Sequence, residues 1–205
     1  MKFVFFCFSF LVSISSFSQN VDINLLKSVN VDRNKSLDGP FEFVTNSVTP
    51  LTIGVPVSMI TYAIITKDST DKSNAIVMCS SLLLAGIVTN GIKYVVNRER
   101  PFDSYPFIQK LTTGSGPSFP SGHTSSAFAI ATSLSMAYPK WYVISGSFAW
   151  ATAVGYSRMD LGVHYPSDVL VGAIVGSGSA FLSKKLTRWI NSKGKRPIRK
   201  SSRER

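Results

Sequence analysis

The segment 118–139 reads SFPSGHTSSAFAIATSLSMAYP and contains no Asp, Glu, Lys or Arg. Its histidine, His123, stands three residues after Pro120, and the only other histidine of the 205-residue chain is His164. Crossing about 30 Å of hydrocarbon takes about 20 helical residues, so this segment predicts a membrane-spanning helix. A histidine at the beginning of such a helix would lie near the membrane surface.

Five segments in all have few or no charged residues. They are 50–66, 73–92, 120–139, 141–157 and 169–183. The second and third are long enough to span a membrane, the first and fourth are marginal, and the fifth is short. Lys184 and Lys185 would extend the fifth segment by reaching water, with Trp189 at the interface. The composition, 44% hydrophobic and 16% charged, favours a membrane protein over a soluble one.

The predicted fold is therefore an all-α integral membrane bundle of five transmembrane helices, or six if the N-terminal segment also spans. The alternative is a soluble α-protein in which the five segments are buried core helices. The number of apolar segments, together with the apolar N-terminus, favours the membrane. Gly172 and Gly176 form a G-x-x-x-G pair, which predicts close packing of the last segment against another helix.

Residues 1–18 have the layout of a secretory signal peptide, since Lys2 precedes an apolar run and Ser16 and Ser18 precede a cleavage point before Gln19. The alternative is an uncleaved first membrane helix. After cleavage Cys79 would be the sole cysteine, which excludes an intramolecular disulfide and a cysteine-built metal site. Residues 19–49 are predicted to form an amphipathic segment outside the membrane, in which INLLKSVN (23–30) would be a short amphipathic helix lying on the membrane surface. Residues 50–190 are predicted to form the membrane domain.

The basic C-terminus predicts the orientation in the membrane. Ten of the 22 Lys and Arg residues lie within 184–205, against the single acid Glu204, and the net charge is +11. A basic stretch directly after an apolar segment is typical of a cytoplasmic flank, so the tail 191–205 is predicted to be cytoplasmic; nucleic-acid binding is the alternative. Counting back from the tail, the connections 93–119 and 159–167 lie outside, which puts both histidines on the outer face.

Three cations collect at segment ends on that outer face: Lys93, Arg100 and Arg158. Each alone is readily explained as a side chain reaching from the membrane edge to water. Three cations close together repel each other unless an anion lies among them, and ammonium and guanidinium groups are the usual ligands of phosphate oxygens. At the predicted helix start, Ser121 adds a hydroxyl, and the free N–H groups of Gly122 and its neighbour would bind an anionic oxygen.

The two histidines fit separate tasks in phosphoryl transfer. Asp168 follows His164 by four residues, close enough to hydrogen-bond one ring nitrogen. That bond would fix the tautomer and leave the other nitrogen free to attack phosphorus. The alternative for Asp168 is a carboxylate stabilised by the start of a helix, and both roles are compatible. His123, from another segment, is suited to donate a proton to the leaving oxygen.

Three short motifs follow one another along these segment ends. They read Lys-x6-Arg-Pro from Lys93, Pro-Ser-Gly-His from Pro120, and Ser-Arg-x5-His-x3-Asp from Ser157. In this order they resemble the type 2 phosphatidic acid phosphatase (PAP2) family, which shares its site architecture with vanadium haloperoxidases and glucose-6-phosphatase. The resemblance covers about 53–186, with no motif residue missing. It implies a helical membrane bundle, typically of six helices, that needs no metal and no cofactor.

The resemblance also implies a role for each motif residue. His164 would be the nucleophile that forms a phosphohistidine, with Asp168 as its partner. His123 would be the general acid and then the base for water. The implied phosphate-binding residues are Lys93, Arg100, Ser121, Gly122 and Arg158.

The expected function is a membrane phosphatase of the bacterial inner membrane, acting at the periplasmic face on a lipid phosphate monoester or pyrophosphate. Undecaprenyl pyrophosphate, phosphatidylglycerol phosphate, phosphatidic acid and a lipid A phosphate all fit. The expected partners are this substrate and membrane lipids, and not nucleic acid. One alternative is a vanadate-dependent haloperoxidase, although those proteins are larger and soluble. Another is a non-catalytic membrane protein with a lipid-binding basic tail, in which both histidines would be dispensable.

Overall fold

The computed structural model describes residues 21–194, and every regular element in this range is helical. A first helix, α1, occupies 21–30, and a single 3₁₀ turn follows at Lys35–Leu37. The remaining helices are α2 (Asp38–Asn46), α3 (Val48–Thr66), α4 (Ser69–Val96), α5 (Pro101–Ser104), α6 (Gly122–Ala137), α7 (Trp141–Asp160) and α8 (Pro166–Gly194). The all-α prediction is confirmed. The predicted signal peptide and residues 195–205 of the basic tail lie outside the described residues.

Helix α6 is the centre of the bundle and packs against α4, α7 and α8. Small side chains such as Ala127 and Ala131 are fully buried on it, so its neighbours come close. On α8, a Cβ atom at Gly172 would lie 2.7 Å from the carbonyl oxygen of Ser121, and one at Gly176 would overlap the carbonyl of Ser125. The G-x-x-x-G prediction is confirmed, and α6 is the helix that packs against the pair.

The outside of the bundle is apolar. Ile64 on α3, Ile87 on α4 and Leu170 on α8 are all largely exposed. Three helical stretches are long and apolar enough to cross a membrane: Lys35–Thr66, Ser69–Ser104 and Pro166–Lys193. A surface covered with large aliphatic side chains is stable only against lipid, so the prediction of a membrane bundle is confirmed.

Two helices, α6 and α8, differ in extent from the uncharged segments that predicted them. Helix α6 has 16 residues, fewer than the segment 120–139 suggested, because Pro120 and Ser121 precede the helix and Tyr138 ends it. Helix α8 has 29 residues and begins at Pro166, so it is much longer than 169–183. Its basic second half stays helical because Lys and Arg have good helix propensity. Since α6 and α7 are not among the three span-length stretches, the count of five or six transmembrane helices stays a prediction.

Helix α1 packs against the protein's own loop between α5 and α6. Its buried residues Ile23 and Leu26 cluster with Ile108 and Tyr165. At its end, the amide nitrogen Nδ2 of Asn30 donates to the carbonyl oxygens of Gln109 (3.0 Å) and Asp160 (2.7 Å). A short helix is present where one was predicted, but its buried residues Ile23 and Leu26 pack against the protein, whereas Val21 and Leu25 stay largely exposed.

Candidate active site

A cavity of about 800 Å³ opens at the end of the bundle where α4 and α7 end and α6 and α8 begin. Six of the eight predicted site residues line it: Lys93, Arg100, Gly122, His123, Arg158 and His164. The other two, Ser121 and Asp168, are fully buried and do not line it. Residues that are up to 71 positions apart in the chain, from Lys93 to His164, thus meet around one space.

His164 is held on one side by Asp168, which lies in the first turn of α8. Its Nδ1 is 3.3 Å from Asp168 Oδ2 and 3.5 Å from the hydroxyl oxygen of Ser118, which itself donates to Asp168 Oδ2. The backbone N–H of Tyr165 donates to the same carboxylate oxygen (3.0 Å). Since Asp168 Oδ2 and the hydroxyl oxygen of Ser118 can both accept from Nδ1, the tautomer with the proton on Nδ1 is favoured, and Nε2 keeps its lone pair.

The environment of His164 keeps its ring neutral. Burial lowers the pKa of His164 to about 4, against the opposing effect of the hydrogen bond to Asp168. A neutral imidazole at neutral pH has a nitrogen lone pair available for nucleophilic attack. His123 lies in the first turn of α6, is half-buried, and lines both the main cavity and a smaller one beside it.

Arg100 is fixed by three backbone carbonyls. Its Nε donates to Gly116 (2.9 Å), its Nη1 to Val163 (2.9 Å) and its Nη2 to Ser115 (2.8 Å). Gly114 lies so close that a Cβ there would be 2.7 Å from Nη1 of the guanidinium. The loop 113–116 therefore wraps around this cation and holds it in one orientation at the cavity.

Arg158 and Lys93 are held less completely. Arg158 donates from Nη1 to Thr45 Oγ1 (2.6 Å) and from Nη2 to the carbonyl of Thr113 (3.1 Å). Its Nε is buried and has no hydrogen-bond partner among residues 21–194. The ammonium of Lys93 donates to the carbonyl oxygen of Pro117. Buried cations need negative charge nearby, and carbonyl dipoles supply only part of it, so the cavity favours an anion.

Ser121 has a different place from the one predicted. It is the N-cap residue of α6, and its backbone N–H donates to the carbonyl oxygen of Asp168 (3.0 Å). Its Oγ accepts from Thr124 Oγ1 (2.9 Å) inside the protein. Ser121 therefore joins the start of α6 to the start of α8. Gly122 lines the cavity beside it, where the first N–H groups of the helix have no intrahelical acceptor.

A profile that describes the PAP2 superfamily matches residues 74–192. The chain belongs to the PAP2 superfamily. Undecaprenyl-diphosphatase of Sulfolobus acidocaldarius is 30% identical over 186 residues, which cover 88% of this chain and 86% of the relative. Lipid A 4'-phosphatase of Bacteroides thetaiotaomicron is 33% identical over 100 residues, 47% of this chain and 44% of the relative.

Solved PAP2 structures have the same fold. The crystal structure of Aquifex aeolicus LpxE matches with a TM-score of 0.71 at 27% identity, covering 80% of this chain and 95% of that one. The PAP2 type phosphatidylglycerolphosphate phosphatase of Bacillus subtilis matches with a TM-score of 0.65 at 26% identity, covering 96% of both chains. The family resemblance is confirmed, and the protein is a membrane phosphatase of the PAP2 type.

Two residues near this PAP2 site were not predicted from the sequence. Ser118 is fully buried and contacts both Asp168 and His164. Arg98 donates from Nη1 to Asp168 Oδ1 (2.9 Å). Ser118 stands two residues before Pro-Ser-Gly-His, and Arg98 lies inside the Lys-x6-Arg-Pro motif, two positions before Arg100. That proximity was the available signal, but the sequence does not show that both side chains turn toward Asp168.

Proposed function

We propose that this protein hydrolyses a lipid phosphate monoester or lipid diphosphate through a covalent phosphohistidine on His164. The observation that carries the proposal is the shared cavity: a neutral imidazole held by Asp168 opens onto the same space as His123 and three cations. Each group has the chemistry that one step of phosphoryl transfer requires.

In the first proposed step, the three cations bind the non-bridging oxygens of the phosphoryl group. Nε2 of His164 attacks phosphorus, the P–N bond forms, and the P–O bond to the leaving group breaks. His123 gives its proton to the leaving oxygen, so the lipid departs as a neutral alcohol or as a monophosphate. Asp168 accepts the Nδ1 proton in a hydrogen bond, which stabilises the positive charge that develops on the ring.

In the second step, water takes the place of the leaving group. His123 removes a proton from the water as its oxygen bonds to phosphorus, and the P–N bond breaks to release inorganic phosphate and restore His164. The three cations offset the charge on the equatorial oxygens in both transition states. Arg100 contributes most to preorganisation, because the loop carbonyls already fix its guanidinium.

The smaller cavity beside His123 supports a lipid leaving group. It has a volume of about 310 Å³ and shares Gly122 and His123 with the main cavity. Val48 and Ile53 of α3 line it, and Ile53 is 64% exposed on the apolar outside of the bundle. A general acid must lie at the leaving oxygen, so the chain attached to that oxygen would follow this groove toward lipid. The names of the relatives, undecaprenyl-diphosphatase and lipid A phosphatase, agree with such a substrate.

We further propose a bacterial inner-membrane location, with the cavity facing the periplasm and the C-terminal tail in the cytoplasm. Helix α8 begins at Pro166 beside the cavity and carries Lys184 and Lys185 about 27 Å further along its axis. Positively charged ends of membrane helices favour the cytoplasm, which supports this orientation. A reporter active only in the periplasm should be silent when fused after Arg205 and active when fused within 112–115. The reverse result would contradict the orientation.

The chemistry is tested by phosphate release from purified protein in detergent, with a panel of lipid phosphates and diphosphates. We expect turnover that survives a chelator, is inhibited by orthovanadate, and yields an acid-labile, base-stable phosphoenzyme in wild type but not in His164→Ala. Loss of activity in chelator with recovery in Mg²⁺ would contradict the role given to the three cations. Activity that is unchanged in His164→Ala would contradict the phosphohistidine. Vanadate-dependent halide oxidation in place of phosphate release would favour the haloperoxidase.

A further inference from the structure

A second group of charged residues lies behind Asp168, and none of its members lines the cavity. Arg98 follows the end of α4 and donates from Nη1 to Asp168 Oδ1 (2.9 Å) and to Ser167 Oγ (2.7 Å). Its Nη2 donates to Asp22 Oδ2 (2.8 Å). Asp22, on α1, also accepts from the backbone N–H of Ser167 (2.9 Å) and from the hydroxyl of Ser167.

These contacts give the two oxygens of Asp168 different partners. Oδ2 is within reach of His164, Ser118 and the N–H of Tyr165, whereas Oδ1 is held by Arg98. A carboxylate with one oxygen bound by a planar guanidinium cannot turn without losing that charge-assisted bond. Arg98 therefore determines which oxygen of Asp168 faces His164.

Arg98 is itself held from two further sides. The plane of the Tyr165 ring lies under the guanidinium, with the central carbon of Arg98 3.7 Å from the ring centroid. The carboxylate of Asp22 binds the opposite nitrogen, and Asp22 is only 5% exposed. Asp168 is 0% exposed, so its negative charge needs a partner inside the protein. Arg98 lies between Asp168 and Asp22 and offsets the charge of both.

We propose that Arg98 and Asp22 are positioning residues for the phosphatase reaction, and that α1 is thereby a structural part of the active site. Arg98 orients Asp168, and Asp22 orients Arg98. Asp22 lies outside the residues that match the PAP2 profile, so this role belongs to a part of the chain before the family domain. The proposal rests on the role given to Asp168 under Proposed function.

If Arg98 and Asp22 orient Asp168, replacing them changes the reaction rate; if they only anchor α1, replacing them changes stability. The phosphate-binding cations Lys93, Arg100 and Arg158 make none of their described contacts with Arg98 or Asp22. Loss of orientation should therefore lower kcat and the rate of phosphohistidine formation while leaving KM unchanged. The loss of kcat in the Arg98 variant should also require the carboxylate of Asp168, because the effects of substitutions within one hydrogen-bond network are not additive.

The experiment compares Arg98→Gln, Asp22→Asn, Asp168→Asn and the double variant Arg98→Gln/Asp168→Asn by kcat, KM and rapid-quench phosphoenzyme formation. Misplacing a reacting group by about 1 Å can cost about 100-fold, so Arg98→Gln should lower kcat by about 10- to 100-fold with KM within about twofold. Asp22→Asn removes only one support of Arg98, so it should lower kcat by a smaller factor, about fivefold. In the Asp168→Asn background, Arg98→Gln should add no more than about twofold. Asp32→Asn, an exposed carboxylate just after α1, is the matched control and should match wild type.

Three results would overturn the proposal: a kcat of Arg98→Gln equal to wild type, a rise in KM alone, or full additivity with Asp168→Asn. Thermal unfolding in detergent identifies variants that fail to fold. If Arg98→Gln fails, Asp22→Asn, which keeps the size of the side chain, decides the outcome by its kcat. If Asp168→Asn itself retains wild-type turnover, the role given to Asp168 under Proposed function fails, whereas the phosphohistidine is tested separately by His164→Ala. If Asp168→Asn is impaired while Asp22→Asn and Arg98→Gln are not, only the positioning role fails.

Discussion

His164 and His123 line the same cavity, but the two regions that carry them are built differently. The loop 161–165 that carries His164 is buried throughout, and the backbone N–H groups of Val163 and His164 both donate to the carbonyl of Arg158 (3.1 and 3.2 Å). Gly162 has a φ of +73° there, and a Cβ at that position would overlap the carbonyl of Gln109. His123 lies in the open first turn of α6 between two cavities, and no other side chain among residues 21–194 hydrogen-bonds to it.

This difference corresponds to two kinds of chemical task. A nucleophile must present one nitrogen in one direction, so a rigid loop lowers the entropic cost of reaching the reactive geometry. A group that first gives a proton to a departing oxygen and then takes one from water must remain accessible to both. The two-step reaction therefore requires rigid support for His164 and open space around His123.

The largest effect should come from the rigid region. We expect His164→Ala to lower kcat by at least about 10⁴-fold on every substrate, because no other group can form the phosphoenzyme. The measurement is phosphate release together with trapping of the phosphoenzyme. Membrane insertion and thermal unfolding in detergent serve as the folding control. Residual turnover that exceeds one hundredth of wild type would show that another nucleophile operates.

The next effect should come from the open region and should depend on the leaving group. We expect His123→Ala to lower kcat by about 10²- to 10⁴-fold on a lipid alcohol leaving group, because general acid catalysis contributes about that much. With an aryl phosphate, whose leaving group needs little protonation, phosphoenzyme formation should fall much less. The same variant assayed on both substrates is its own control. An equal loss on both would remove His123 from the acid role.

The sequence predicted much of this site because the order of the apolar segments determines which segment ends meet on one face of the membrane. Residues at alternate ends of successive apolar segments lie on the same face of the membrane. The order of the segments therefore predicted that Lys93, His123 and His164 lie on one face. The network behind Asp168 was not predictable in that way. Asp22 and Ser167 are 145 residues apart, and no periodicity or motif relates a helix before the membrane domain to the first turn of the last helix.

The differences between α6 and α8 and their uncharged segments have a related physical cause. Uncharged length measures how much of a segment tolerates lipid, whereas a helix ends where its backbone loses hydrogen-bond partners. Helix α6 ends at Ala137 because Tyr138 precedes Pro139, and the residue before a proline disfavours the helical conformation. Helix α8 continues through Lys184 because polar side chains beyond the membrane do not interrupt a helix. The position of Ser121 also depends on helix packing: its side chain faces the interior at the N-cap of α6 and does not line the cavity.

A third prediction uses pH to compare the buried ring with an ordinary imidazole. Burial lowers the pKa of His164 to about 4, so the nucleophile is protonated, and kcat/KM falls, only as the pH drops through about 4. An exposed imidazole with a pKa of about 6.5 would already be about 99% protonated at pH 4.5, where His164 would be about three quarters neutral. The measurement is kcat/KM from pH 3.5 to 8 on an aryl phosphate, which reduces the demand on His123. An acid limb centred near pH 6.5 that does not follow the second ionisation of the aryl phosphate itself would mean that the ring is not enclosed in the free enzyme.

The smallest effect should come from the groove that continues from His123 toward lipid. Ile53 lines this groove, so Ile53→Ala should remove apolar contact with the chain of the substrate. Losing about 40 Å² of contact at about 25 cal/mol per Å² corresponds to about 1 kcal/mol, or a rise in KM of about fivefold for a long-chain substrate. KM for a water-soluble aryl phosphate should not change, because that molecule places nothing in the groove.

The matched control is Ile64→Ala, which removes a similarly exposed isoleucine from the other end of the same helix, away from His123. General effects on the membrane contacts of α3 would raise KM in both variants, whereas a substrate groove would raise it only in Ile53→Ala. Since kcat depends on His164 and the three cations, it should stay within about twofold of wild type in both. A KM for the long-chain substrate that does not respond to Ile53→Ala would mean that the lipid chain leaves the cavity on another side. His123 would then face two cavities for a reason unrelated to the leaving group, and its open position would no longer distinguish it from His164 in the way that the two-step reaction requires.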